Sequence, residues 1–159
     1  MELSGEVLAG VFFEAIPGLQ FASHDAFRDL KRPSKRAPIY WLNAADPISL
    51  CGIGLDAFKG KLPKRLASTR IVYRGDELVA EILRNGKALA FYAGTEDVDI
   101  GRIFEGVRHL LTRTFNPLRS IHLETINDED ARSSPYLETL EANFRLHSNH
   151  KRVVIEGVK

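Results

Sequence analysis

STRIVYRGDELVAEILRNGKALAFYAG (residues 68–94) is three runs of β-branched, aromatic and aliphatic residues separated by two short polar breaks. The runs predict strands over about 69–74, 77–83 and 87–92, joined by tight turns at RGDE and RNGK. Asn85-Gly86 between apolar runs is a strong hairpin signal, because both residues of such a turn take positive φ. Ile71 and Tyr73 alternate with Val72, so one face of this meander reads as less apolar than the other.

Upstream, IYWLNA (39–44) predicts another strand, from the β preference of Ile39, Tyr40 and Trp41. Before it, residues 31–38 carry two prolines among basic residues and read as an exposed loop. Ser23 is placed to cap a short helix, HDAFRDL, with Ala26, Phe27 and Leu30 on one face. Residues 6–21 read as two short strands joined at Gly10, with a turn at Pro17-Gly18. Residues 52–66, with three glycines and Pro63, read as irregular.

Downstream of Gly94 the hydrophobic period changes. Ile100, Ile103, Phe104, Val107, Leu110 and Leu111 recur at helical spacing, predicting one amphipathic helix over about 98–114, capped by Asp97 and ended by Asn116-Pro117. Gly101 and Gly106 each cost such a helix up to roughly 1 kcal/mol against alanine, so packing must hold it. SIHLETI predicts a strand, and Ser134-Pro135 opens a helix over YLETLEANF. FRLHS and RVVIEG predict a final strand pair turning at Asn149 and His150. The fold class that follows is α+β, with an antiparallel, partly barrel-like sheet and about three helices.

The 159 residues, 44% hydrophobic and 27% charged, suit one domain, or a small module plus the tail of another. No apolar run approaches the ~18–20 residues of a membrane span, and MELSGEVLAG lacks the pattern of a signal peptide. A lone cysteine, Cys51, excludes an internal disulfide framework and fits a reducing compartment, so cytoplasm is the expected location. Net charge is only +1, yet its distribution is uneven. RDLKRPSKR (28–36) holds Arg28, Lys31, Arg32, Lys35 and Arg36 against one acid, and KGKLPKRLASTR (59–70) holds Lys59, Lys61, Lys64, Arg65 and Arg70 against none.

Neither a G-x-x-x-x-G-K-[ST] loop nor G-x-G-x-x-G is present, so a nucleotide site of either kind is not expected, and no cofactor is expected in this chain. The five histidines lack metal-ligand spacing. Cys51 fits a small buried side chain better than a nucleophile, since no histidine base stands nearby in sequence. Asp46, in NAADPISL, fits a cap with Pro47 at the first helical position, or a carboxylate at a strand mouth that orients water. Glu124, in HLETIND, either lines a cleft or faces solvent. The basic stretches suit sequence-independent phosphate contacts or plain solvation. Arg28, Lys31, Arg32, Lys35, Arg36, Lys64, Arg65 and Arg70 are therefore the candidate nucleic-acid ligands, with Asp46 and Glu124 the candidate catalytic groups.

ELSGEVLAGVFFEAIPGLQFASHDAFRDL, YWLNAADPISLCGIG, LPKRLASTRIVYRGDELVA and NPLRSIHLETIND together resemble, in order and spacing, the C-terminal region of the large helicase-related (Lhr-type) ATP-dependent DNA helicases, of the DEAD/DEAH-box superfamily 2. The resemblance implies a division at residue 36: the wing and closing helix of a last winged helix over 1–36, then a β-barrel-like module over 37–159. It implies a DNA-binding accessory role in repair, with DNA and the helicase core as partners, and ATP and magnesium held by the parent helicase core. Met1-Glu2 then reads as the start of a fragment or of a split gene product. Such regions are also similar to winged-helix DNA glycosylases, which implies a base-excision module as the alternative, with Asp46 or Glu124 positioning water. Those glycosylases carry Gln-x-Gln or Gln-x-Asp, whereas the sole glutamine here, Gln20, is followed two residues on by Ala22. A third alternative is an oligomerisation or docking module with the basic loops solvated.

Overall fold

The computed structural model describes residues 5–32, 37–149 and 152–159. Strands β1 (Val7–Gly10) and β2 (Gln20–Ser23) form a hairpin, followed by helix α1 (His24–Leu30). Strand β3 (Ile39–Asn43) leads through a long loop, with a 3-10 turn at Asp56–Phe58, into the meander β4 (Arg70–Arg74), β5 (Glu77–Leu83) and β6 (Ala88–Phe91). Helices α2 (Ile100–Ile103) and α3 (Glu105–Thr112) come next. Short strands β7 (Ile121–Leu123), β8 (Thr125–Ile126) and β9 (Glu129–Asp130) follow. Helix α4 (Leu137–Asn143) and the hairpin β10 (Phe144–Asn149), β11 (Arg152–Val158) come last.

The α+β mixture is as expected, and the meander forms with nearly the expected bounds. The barrel does not form. Among the described residues, one sheet of six strands runs β3-β4-β5-β6-β8-β9 and stays open at β3 and β9. Closure needs strands long enough to carry a consistent tilt and stagger, and β8 and β9 have two residues each. A separate sheet, β10-β11-β7, takes β7 away from the larger one. SIHLETI is thus not one strand: it changes sheets at Glu124, whose N–H donates to the Lys87 carbonyl at 2.8 Å.

Both faces of the β3–β5 region are covered, which departs from the half-polar face expected of the meander. Arg70, Ile71, Val72 and Tyr73 are all buried. Val72, Ala80, Ile82, Leu89 and Phe91 join the main core with Val107, Leu110 and the β7 and β11 side chains. On the opposite face Ile71 and Tyr73 pack with Ala44, Cys51 and Leu62 from the long loop. Cys51 is a fully buried free thiol in that small cluster.

The helix expected over 98–114 is broken at Phe104, which belongs to neither α2 nor α3. Its ring is buried at 5.5 Å from Phe91 and 5.9 Å from Phe144, and seating it there turns the chain. A Cβ on Gly106 would lie 2.5 Å from Ile82 Cδ1, so the glycine that weakens α3 is what lets it lie directly on β5. Helix α4 starts two residues later than Pro135 suggests, because the Ser134 hydroxyl accepts from the Tyr136 N–H at 3.3 Å and holds Pro135 and Tyr136 in a turn before it.

Near the N-terminus α1 forms with Ser23 as its cap, the hydroxyl accepting from Ala26 N–H at 3.1 Å. Residues 11–19, expected to contain a strand, form a loop tied by the Gln20 side chain. That amide accepts from the Phe12 and Phe13 N–H groups and donates to the Phe13 and Ile16 carbonyls. The boundary expected after residue 36 and the turn residue His150 lie outside the described residues.

Arg74, ending β4, donates to both oxygens of Asp97 at 2.6 Å, fixing the turn before α2 to the sheet. These bonds, with the Asp99 N–H, hold the Asp97 carboxyl below the usual carboxylate range. A depressed folded pKa contributes stability that is complete above the unfolded value of about 3.9 and lost as pH falls through the folded value. Arg74→Met is expected to cost about 1–2 kcal/mol near neutral pH, since both groups keep some solvent contact. Urea unfolding of both proteins near pH 7 and at successively lower pH checks this, the difference shrinking as Asp97 takes up its proton.

Candidate nucleic-acid interface

The structure sorts the candidate basic residues into distinct local situations. Arg28 is ion-paired with Asp25 one helical turn earlier. Lys31 lays its ammonium 4.2 Å from the Phe27 ring centre, and Arg32 is exposed just beyond α1. Lys35 and Arg36 lie outside the described residues. Lys59, Lys61 and Lys64 are exposed on the long loop, and among the described residues none of them joins an ion pair. Lys59 and Lys64 flank a cavity of about 370 Å³ whose floor includes Leu50, Leu55 and Phe58. Gly-rich loop backbone and flexible cations around a shallow cavity suit contact with a charged chain more than with a compact substrate.

Arg65 and Arg70 are placed differently. The Arg65 guanidinium donates to the carbonyls of Ser49, Cys51, Ala45 and Asp46, so it pins the 45–51 turn under the sheet edge. Arg70 is 3% exposed, and its Nε and Nη1 are sealed from solvent with no partner. Its side chain points to the core face of the sheet, with the guanidinium carbon 6.0 Å from the Trp41 ring centre. Trp41 in turn meets the His109 ring at 4.4 Å. Burial, then Arg113, lowers the Arg70 pKa; burial, then Arg70 and Arg113, lowers that of His109. The last turn of α3 therefore brings an imidazole and a second guanidinium beside a buried one.

The two candidate carboxylates do not share a site. Asp46 makes a local turn, its Oδ1 accepting from Ile48 N–H at 3.0 Å, and no helix follows Pro47. The early proline and the return of the chain through Ser49 leave no room for a second helical turn, since Ser49 N–H already bonds the Asp46 carbonyl. Glu124 pairs with Arg84 at 3.1 Å beside β8. Strands β3 and β8 stand four strand spacings apart in the sheet, roughly 19 Å at ~4.8 Å each. Gln20, the only residue matching half of the glycosylase element, has its amide fully used by the loop it ties.

Tyr92 donates to Glu81 at 2.8 Å, and burial together with Glu81 and Asp128 pushes its hydroxyl up to about 12. Asp130 is held down to about 2 by the Arg132 guanidinium and N–H. Among the described residues no group of three His, Cys, Asp or Glu side chains could hold a metal ion, and no helix is long and apolar enough to cross a membrane.

No family model matches the chain. The chain is 29% identical over 154 residues to the Lhr helicase/uracil glycosylase of Escherichia coli strain K12. The match takes in 91% of this chain and 10% of the relative. It is consistent with an Lhr-related region. The chain thus spans about a tenth of the length of that curated relative, and the matched region includes most of the elements described above.

The grouping of Trp41, Arg70, His109 and Arg113 was not visible in the sequence. In the sequence Trp41 is only a strand-forming residue, Arg70 one of a basic run, and His109 a histidine without metal spacing. The available signal was parity: Arg70 shares its strand face with Val72, and β4 is buried on both sides.

Proposed function

We propose that the chain is a nucleic-acid-binding accessory module of an Lhr-type DNA-repair helicase, with motor chemistry, ATP and magnesium belonging to a separate helicase core. Similarity across nearly the whole chain to a helicase/uracil glycosylase supports the helicase context. The observation that carries the binding role is the 59–64 loop, where Lys59, Lys61 and Lys64 are exposed without an ion pair. Arg28, Lys31 and Arg32 add cations on α1 and just beyond it, and Lys35 and Arg36 belong to this reading by sequence alone. Sequence-independent phosphate contacts need this kind of adaptable, unpaired charge.

The hairpin and α1 supply the docking side of the reading, as the end of a winged helix whose remainder lies in the parent. None of the described residues in 5–32 is buried. Val11, Phe13, Leu19, Phe21 and Leu30 are exposed, and an apolar groove of about 770 Å³ runs between the hairpin and α1. An apolar surface of this kind marks an interface, here with the helicase core.

Binding of a short duplex by the chain is expected to weaken steeply with salt. Reversal of Lys59, Lys61 and Lys64 to Glu is expected to reduce the slope of log K against log salt by about 3 and low-salt affinity by more than about tenfold, equally for all sequences. Fluorescence anisotropy at several salt concentrations measures both. Undetectable binding at low salt, or an unchanged slope in the triple variant, overturns the reading.

A second reading, a base-excision module, is favoured by the uracil glycosylase activity named for the E. coli relative. In it Asp46 or Glu124 orients the attacking water at an extruded base. Incubation with uracil-containing duplex tests it. Excision by the chain that survives both Asp46→Asn and Glu124→Gln moves the chemistry to other residues, and no excision at all removes this reading.

A further inference from the structure

Arg70 carries a charge that no group in the described chain answers. Its residue is 3% exposed, Nε and Nη1 are sealed and unpartnered, and no carboxylate pairs with it. A buried cation without hydrogen bonds costs several kcal/mol in general, so native chains keep such groups paired. The surroundings add positive charge instead of removing it. Arg113 adds to burial in lowering the Arg70 pKa, and Arg70 and Arg113 add to burial in lowering that of His109. Arg113 stands one helical turn past His109, its N–H donating to the His109 carbonyl at 3.0 Å and its Nε to the Asn116 carbonyl at 2.8 Å; among the described residues its two Nη nitrogens have no partner. The carbonyl end of α3 lies close by and offers partial negative charge, yet no carbonyl accepts from the sealed nitrogens of Arg70.

We propose that Arg70, Arg113 and His109 form a seat for one phosphate-type oxyanion, with Trp41 as its wall. Two guanidinium groups and an imidazole offer more donors than a single carboxylate can accept, and a phosphate presents several oxygens in the directions that guanidinium forks match. Nη2 is the one Arg70 guanidinium nitrogen that is not sealed, and the anion meets Arg70 there. The Trp41 ring, tilted against His109 at 4.4 Å, lies 6.0 Å from the Arg70 guanidinium carbon and limits its movement before the anion arrives, so less side-chain freedom is lost on binding. The seat lies on the core face of β4 at the end of α3 and is separate from the lysines of the 59–64 loop. It stands whether or not the chain binds nucleic acid.

The only tryptophan of the chain is Trp41, so its emission reports on the seat directly. Titration of the full chain with inorganic phosphate, against chloride at equal ionic strength, is expected to give a saturable change in Trp41 emission with phosphate alone. Arg70→Gln is expected to abolish it, and Arg113→Gln to weaken it by roughly ten- to a hundred-fold, the range for charge-assisted bonds. Should Arg70→Gln fail to fold by circular dichroism, Arg113→Gln still decides the matter, because that side chain is half-exposed at the end of α3. No saturable change, an equal change with chloride, or an unchanged phosphate affinity in folded Arg113→Gln overturns the seat. A second arm separates the sources of the oxyanion. A short 5′-phosphorylated oligonucleotide that competes with phosphate for the Trp41 signal shows that the seat takes a strand phosphate. A phosphate response that no oligonucleotide, with or without a 5′-phosphate, displaces shows a free oxyanion. An oligonucleotide that fails to bind anywhere on the chain defeats the nucleic-acid reading and leaves the seat standing.

Discussion

Phe104→Ala is expected to remove about 3–5 kcal/mol of stability, the range for emptying a buried aromatic site. Phe104 is fully buried where α2 gives way to α3, with Phe91 of β6 on one side and Phe144 of β10 on the other. It therefore joins the six-stranded sheet to the three-stranded one. Collapse around the missing ring is restricted, because Gly106 already brings α3 to within contact of Ile82 and the helix cannot move closer. A protein of this size holds roughly 5–15 kcal/mol in total, so the variant loses a large share of it. Its melting temperature is expected to fall by about 6–20 °C, at roughly 2–4 °C per kcal/mol. Phe115→Ala is the matched control: that ring is 87% exposed, and its removal is expected to change stability by less than about 0.5 kcal/mol. Calorimetry on both variants checks the contrast, and equal shifts would place the core elsewhere.

The same residue shows where sequence reading succeeds and where it stops. The apolar spacing of Ile100 to Leu111 does mark the helical region and its buried face, because side-chain period is a local property. The break at Phe104 is not local: it is set by two aromatic rings, 13 residues upstream and 40 downstream, that fix where the ring must sit. SIHLETI likewise reads correctly as extended, but which sheet each half joins depends on the Lys87 carbonyl and on β11, which no local pattern encodes. Arg70 was legible as a cation and not as a buried one, since the cover comes from α3 and the long loop. The exposure of Lys59, Lys61 and Lys64 was legible from their charge, whereas the packing of Leu62 between them against Ile71 and Tyr73 was not. Asp46 was legible as a turn residue, while its distance from Glu124 depends on strand order, which the sequence leaves open.

Gly86 concentrates the non-local constraints, and Gly86→Val is expected to cost about 2–5 kcal/mol, the other large effect. The Asn85-Gly86 pair has the positive φ its sequence demands, at 56° and 89°, but the turn also takes in Arg84 at 51°. Asn85 N–H bonds the Ser68 carbonyl at 2.8 Å, which tilts the turn across the start of β4 and uses the third left-handed residue. A β-branched residue at such a φ carries a strain of about 1–2 kcal/mol. Packing adds to it. A Cβ at this position would lie 2.6 Å from Ile121 Cγ2 and 3.4 Å from Leu110 Cδ1. Ile121 is buried on β7 and Leu110 on α3, so neither withdraws without opening the junction of both sheets and the helix, at a further ~1–3 kcal/mol for overpacking. Gly86→Ala should retain most of the penalty, because the strain and the contact with Ile121 both begin at Cβ. Gly94→Ala should be close to neutral, since Gly94 has an ordinary φ and a methyl group there would meet no atom within 4 Å. Urea unfolding of the three variants orders them Val, Ala, then Gly94→Ala. A Gly86→Ala protein as stable as the parent would mean that β7 is free to shift against α3, and the sheet switch at Glu124 would lose its anchor.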